Sequence, residues 1–362
     1  MLAADRDRAE AIDAVATALA EWIVDLHFER DPSLAERYGA NARRLWKSEV
    51  RLRLQHLAEA IAVNRPVLFV HSAIWSREAF AARRIGDEDL RESLRCTRTV
   101  LAEELPPAVR SAALGCLDEA LAALDRSDGE SARQPPGLAD RSARMYLLHL
   151  LQRDQDAAAQ LVFEAHREGK SIPEIYEHIL RPALAEVGRM WHVQEATVAD
   201  EHYCTAATQV IMSQLRALAR ESAAPSPKMH RRRVLATSVG GDLHEVGIRM
   251  VADLFELAGW HAEYLGPNMP TDEILAVLAD DDGRPAFDLL ALSANTTLSV
   301  RSVADLIRAV REHPSFGSIP ILVGGTPFLL VPDLWQVVGA DAFAADAPGS
   351  IAVAERLVAS RR

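Results

Sequence analysis

Cysteine is scarce: Cys96, Cys116 and Cys204 are the only three in 362 residues, widely separated and without metal-type spacing. That excludes a disulfide framework or a thiolate cluster and predicts reduced thiols in a cytoplasmic protein. No uninterrupted apolar run approaches the ~18 residues of a membrane-spanning helix. The N-terminus, with its early Asp and Arg residues, lacks a signal-peptide pattern, so no membrane association is expected. Basic charge is in deficit, 40 Lys and Arg against 52 Asp and Glu, for a formal net charge of −12. Such a surface disfavours nucleic acid and anionic lipid. The short run Arg231-Arg232-Arg233 reads as a solvated linker. No helix-turn-helix carries a basic second helix, so direct nucleic-acid binding is not expected.

What is present is the makeup of an ordinary folded protein, 49% hydrophobic and 25% charged, at a length of two or three domains. Two Pro/Ser-rich breaks, Ser127–Gly137 and Ser222–Pro227, divide the chain into units of about 1–127, 140–221 and 231–362. The first reads as all helix, with apolar residues at helical spacing in Ile12, Val15, Leu19, Trp22, Ile23 and Leu26, and again in Leu45, Leu52, Leu57 and Ile61. Pro32, Pro66 and Pro106-Pro107 fall where helices should begin or end. The second unit predicts four helices, one opened by the capping box Ser171-x-x-Glu174 and another by Thr197-x-x-Asp200. Its length suits a four-helix cap packed on its neighbour.

The third unit alternates short apolar strands with helical patterns. Strands are expected at Val234–Thr237, Ala262–Leu265, Asp288–Leu292, Ile319–Val323 and Ala342–Ala344, and helices at Val246–Ala258, Thr271–Leu278, Val300–Glu312 and Pro332–Val338. This predicts an α/β domain, a five-stranded parallel sheet in flavodoxin-like (Rossmann-like) order with helices on both faces. Ligands bind such sheets beyond the carboxyl ends of the strands. There the sequence places His244 in the turn after the first strand, Ser293 at the end of the third, and Gly324-Gly325 at the end of the fourth. Imidazole ligates transition metals, and Asp242 is near enough to fix its tautomer. A structural histidine, a capping serine and a tight glycine turn are the bland alternatives for each taken singly.

Together, Asp242-x-His244-x-x-Gly247, Ser293 and Gly324-Gly325 resemble the signature of cobalamin-binding domains, with Asn295 departing from the usual Leu or Thr. The resemblance implies base-off/His-on cobalamin, with His244 as lower cobalt ligand supported by Asp242, and Ser293, Gly324 and Gly325 lining the channel for the displaced nucleotide tail. In the second unit, Trp191, Glu201 and His202 resemble the Trp-x9-Glu-His cap of light-responsive cobalamin photoreceptors, which implies adenosylcobalamin as the bound form. His192, directly after the tryptophan, would be the upper cobalt ligand after light. The first unit, with Glu21-Trp22-Ile23 and Leu68–Trp75, resembles globin-like helical sensor domains. That architecture is similar to photocobilins, which pair cobalamin with biliverdin; His71, Trp75 and Arg84 are the bilin-pocket candidates. The expectation is therefore a non-enzymatic light sensor, in which loss of the adenosyl group shifts a homo-oligomer and signals to another protein. The alternative is a corrinoid carrier for methyl transfer.

Overall fold

The protein is described by a computed structural model covering residues 3–126, 138, 140–222 and 232–360. Most of both predicted linkers, 127–137 and 223–227, together with Arg231, Arg361 and Arg362, lies outside the described residues. The chain forms two compact units. One comprises Met1–Ala132 with the short segments Thr296–Arg301 and Leu330–Val338; the other comprises 133–295, 302–329 and 339–362.

The first unit is helical: α1 (Ala3–Arg30), α2 (Leu34–Tyr38), α3 (Ala42–Ala62), α4 (Pro66–Ala82), α5 (Asp87–Glu104) and α6 (Pro107–Arg126). Proline marks the boundaries as expected, opening α4 and α6 and following the end of α1. The core is built from Ile12, Leu19 and Ile23 of α1, Leu54 and Leu57 of α3, Phe69 of α4, Leu94 of α5 and Leu117 of α6. Val15 and Trp22 do not join it, and neither does Leu45. The buried stripe of α1 runs through Ala9, Ile12, Leu19, Ala20, Ile23 and His27. Val15 and Trp22, seven residues apart, share the neighbouring face and stay in water.

The second unit opens with helices α7 (Arg141–Leu151) and α8 (Gln155–Arg167). A third, continuous helix runs from α9 (Ile172–Ile175) through a π-turn at Tyr176–Leu180 into α10 (Arg181–His192), and α11 (Val198–Ser222) follows. The Ser171–Glu174 capping box forms in both directions. Thr197 and Asp200 form the shorter version, each backbone N–H donating to the other's side chain at 3.0–3.2 Å. Strands β1 (Arg233–Val239), β2 (His261–Met269), β3 (Leu289–Ser293), β4 (Ile321–Gly324) and β5 (Ala342–Phe343) form one parallel sheet in the order β2-β1-β3-β4-β5.

Between the strands lie α12 (Val246–Leu257), α13 (Thr271–Leu278), α14 (Val300–Glu312), α15 (Thr326–Leu330) and α16 (Leu334–Val338), and α17 (Ala347–Ala359) closes the fold. Two helices, α15 and α17, are absent from the sequence pattern. The first is short, and the second is Ala-rich with a weak apolar stripe. Val234, Ala236, Leu289, Ala291 and Leu322 pack on one face with residues of α12 and α17. The intervening Leu235, Leu290 and Ile321 are buried on the opposite face, as strand alternation requires. The four-helix core continues into the α/β part through Met250 and Leu254 of α12 and Ala347 of α17. Tyr176 donates to the buried carboxylate of Asp253 at 2.9 Å, and Arg216 lies 3.3 Å from the same group. The π-turn adds one residue to the helix at the point where this tyrosine must face α12.

Candidate functional site

Parallel register sets the site. Ser238 of β1 pairs with Ser293 of β3, and Ser293 pairs with Gly324 of β4, so these carboxyl ends lie side by side. The turn after β1 rises from this edge. Gly241 takes a positive φ of 89°, and its N–H donates to Asn268 Oδ1 at 2.7 Å. Asn268, itself left-handed with φ of 56°, sends its own N–H to Asp242 O and Ser238 Oγ. This asparagine near the end of β2 clamps the turn, yet it carries no motif by which sequence alone could mark it.

Asp242 is buried, 1% exposed, and both carboxylate oxygens are engaged. Oδ1 accepts from the His244 backbone N–H at 3.0 Å and from His244 Nδ1 at 2.8 Å. Oδ2 accepts from the Asn295 N–H at 2.5 Å. Burial opposes ionisation here, and the hydrogen bonds from His244 and Asn295 outweigh it, holding the carboxyl below its usual range. The same bond to Asp242 raises the basicity of His244 against the effect of burial, and the negative charge of Glu201 adds to it. Because a carboxylate can only accept, Nδ1 carries the proton and Nε2 presents its lone pair. The His244 side chain is 56% exposed, so that nitrogen is open to a ligand.

The site also offers surface for a large group. Leu243 is 73% and Leu329 54% exposed, unusual for leucine beside a sheet edge. A side chain at Gly247, in the first turn of α12, would meet nothing within 4 Å. These residues fit a broad, partly apolar cofactor held by an imidazole. Gly325 has a steric cause that needs no ligand. With φ of 107°, its added Cβ would strike Ala294 O at 1.9 Å. It is glycine because the loops after β3 and β4 touch. The Asn295 side chain is engaged as well, its Oδ1 accepting from Thr326 Oγ1 at 2.9 Å.

In the four-helix part, Trp191 stands in the last turn of α10 with 40% exposure, and Glu201 and His202 lie near the start of α11, their side chains 3.6 Å apart. Glu201 also accepts from Thr205 at 3.0 Å. His192, in contrast, is 4% exposed, facing inward next to a tryptophan that faces out. In the helical unit, His71 and Trp75 share one face of α4 at four-residue spacing. Arg84 lies beyond the end of that helix, exposed and left-handed at φ 59°. Among the described residues no group of three or more His, Cys, Asp or Glu side chains is arranged for a metal ion. A corrinoid needs only one such protein ligand. No helix of the described residues is long and apolar enough to cross a membrane.

Comparison with known proteins bears directly on this edge. Residues 232–353 match the B12 binding domain. Residues 143–216, the helices above it, match a second B12 binding domain model. Both matches support cobalamin as the cofactor. Dimethylamine corrinoid protein 3 of Methanosarcina acetivorans is 25% identical over 122 residues, which is 33% of this chain and 54% of that protein. The chain thus spans about half the length of this relative. A corrinoid protein of Desulfitobacterium hafniense is 25% identical over 206 residues, 57% of this chain and 92% of its own. The monomethylamine corrinoid protein of Methanosarcina barkeri superposes with a TM-score of 0.49 at 21% identity, covering 59% of this chain and 96% of its own. By name these relatives are corrinoid proteins, two of them of methylamines.

Proposed function

We propose that the chain is a corrinoid carrier for methyl transfer, holding its cofactor base-off with His244 Nε2 as lower cobalt ligand. The observation that carries this is the Asp242–His244 pair, which fixes the tautomer and leaves one nitrogen open at the carboxyl edge of the sheet. Ser293, Gly324 and Gly247 border that edge and would receive the displaced tail. When bound, the corrinoid supplies a cobalt centre that exchanges a methyl group; the chain binds it, orients it and raises the basicity of its imidazole. In this reading the chain carries the methyl group, and a separate methyltransferase would be its partner. The corrinoid proteins among its relatives support this reading over the alternatives.

A second reading has its own observation. Trp191, Glu201 and His202 stand partly or largely open at the α10–α11 turn, and the charge of Glu201 reaches His244. That arrangement suits a cover over an adenosyl group and a light-dependent change of assembly, with biliverdin near His71, Trp75 and Arg84 as a second chromophore. For His192 to become an upper ligand, its buried ring would have to leave the end of α10. One experiment separates the readings. The purified protein is loaded with methylcobalamin or adenosylcobalamin, and spectra and mass are recorded before and after illumination. Retained mass with methyl exchange to a methyltransferase supports the carrier; a light-driven change of mass without exchange replaces it by the sensor.

A further inference from the structure

One carboxylate, distant in sequence, stands where a cap from the residues just before a helix would normally stand. Arg301 is the second residue of α14, and its backbone N–H is among the four donors that a helix start leaves unpaired. Ser299, just before the helix, engages its hydroxyl with Thr296 at 2.9 Å. The donor of Arg301 is instead met by Glu59 of α3, whose Oε2 accepts it at 2.9 Å. Glu59 Oε1 also accepts from Arg301 Nε at 2.7 Å, and Asp13 of α1 takes another guanidinium N–H at 2.5 Å. One turn away on α3, His56 Nδ1 lies 2.8 Å from Thr297 Oγ1. Glu59 is 5% exposed, and Thr297 and Ser299 are buried. Two residues of α3 thus hold both Thr297 and Arg301.

The same loop begins at Asn295, whose N–H fixes Asp242 Oδ2 at 2.5 Å. Asn295 and Thr297 are two residues apart, at most ~7 Å along the chain. A shift of Thr297 therefore reaches the Asn295 amide with little room for absorption, and Asp242 in turn holds the imidazole of His244. We propose that Glu59 and His56 are positioning residues for the corrinoid site, holding the β3–α14 loop where the Asn295 N–H orients Asp242. The inference rests on the corrinoid reading of His244.

The test uses the full chain with hydroxocobalamin as probe, read by absorbance titration and by the nitrogen splitting in the electron spin resonance of the reduced cob(II) form. His244→Ala supplies the spectrum without the histidine ligand. Glu59→Ala and Thr297→Val should weaken binding by about 3- to 10-fold and enlarge the fraction lacking histidine nitrogen splitting, in keeping with outer partners of metal ligands. Glu59→Gln keeps an acceptor for the Arg301 N–H and should recover most of the affinity. A cofactor-free measurement stands beside it: Glu59→Ala should speed hydrogen exchange of the Asn295 amide by about tenfold as its loop loosens. If Glu59→Ala does not fold, Thr297→Val decides both. Wild-type affinity, splitting and Asn295 exchange in the folded variants would overturn the proposal. Loss of histidine splitting in the unmutated protein, with Asn295 exchange still sensitive to Glu59, would overturn the ligand assignment alone.

Discussion

A Cβ on Gly325 would lie 1.9 Å from the carbonyl oxygen of Ala294, closer than any real contact. The loops that follow β3 and β4 are thus in backbone contact at the edge where the cofactor is proposed to sit. Gly325→Ala must push Ala294 away and also adopt a positive φ. Its cost should be about 3 kcal/mol or more, at the severe end of single substitutions. Thermal melting should fall by several degrees, and the neighbouring Asn295–Asp242 bond should weaken with it.

Gly247 makes the opposite prediction. Nothing lies within 4 Å of its added Cβ, and it occupies the first turn of α12. Gly247→Ala should leave the cofactor-free protein as stable or up to ~1 kcal/mol more stable, because alanine is the better helix former. If the open space belongs to the corrinoid, the same substitution should lower hydroxocobalamin affinity. Unchanged affinity would place the cofactor elsewhere.

Asp242→Asn tests the imidazole without a metal. The raised basicity of His244 comes first from its bond to the carboxylate. In the cofactor-free variant the His244 titration, followed by NMR, should move back down toward that of an ordinary histidine. Cobalamin binding should fall by about 10- to 100-fold, as with other outer partners of metal-bound histidines. A titration identical to wild type would show that the pair is not formed in solution.

Much of this site was legible because its chemistry is local. Asp242 and His244 are two residues apart, and the strand pattern alone brings Ser293 and Gly324 beside them. The helices Thr271–Leu278 and Val300–Glu312 coincide with the predicted spans because proline and strong amphipathic stripes delimit them. What was hidden depends on contacts distant in sequence. Glu59 meets Arg301 across 242 positions, and Asn268 becomes a clamp only when β2 lies beside β1. Gly325 read as clearance for a ligand because the approach of Ala294 belongs to another loop. Val15 and Trp22 fit a helical period as well as the true stripe does; only packing chose between adjacent faces.

The helical unit should be acid-labile. His27 is buried against Trp46, ring centroids 4.7 Å apart, and neither ring nitrogen has a hydrogen-bond partner. Burial, with the nearby charge of Arg53, lowers its pKa to about 4, and burial lowers that of His56 to about 4 as well. A histidine with a depressed folded pKa binds its proton more readily in the unfolded chain. Stability is therefore intact above about pH 6.5 and declines as pH falls toward 4, by up to about 3 kcal/mol for each fully shifted group. His27→Phe keeps the aromatic packing and removes one titration. Its melting temperature should match or exceed wild type at pH 7 and lose distinctly less by pH 5; parallel curves would contradict the buried neutral histidine.

Tyr176 and Asp253 join the four-helix part to the sheet part of the second unit. Asp253 is nearly inaccessible, and burial raises its pKa even though Tyr176 and Arg216 favour the charged form. Tyr176→Phe leaves ring packing in place but withdraws the donor at 2.9 Å. The carboxylate then relies on Arg216 at 3.3 Å, which also binds Glu256 at 2.9 Å. An under-satisfied buried acceptor costs about 1–3 kcal/mol. The loss should appear first as faster amide exchange in α12 and in the π-turn that leads into α10. Because α10 carries Trp191, the variant should also alter tryptophan fluorescence on cobalamin addition. Stability and exchange indistinguishable from wild type would mean that water or Arg216 already satisfies Asp253, and that the π-turn at Tyr176 serves packing alone.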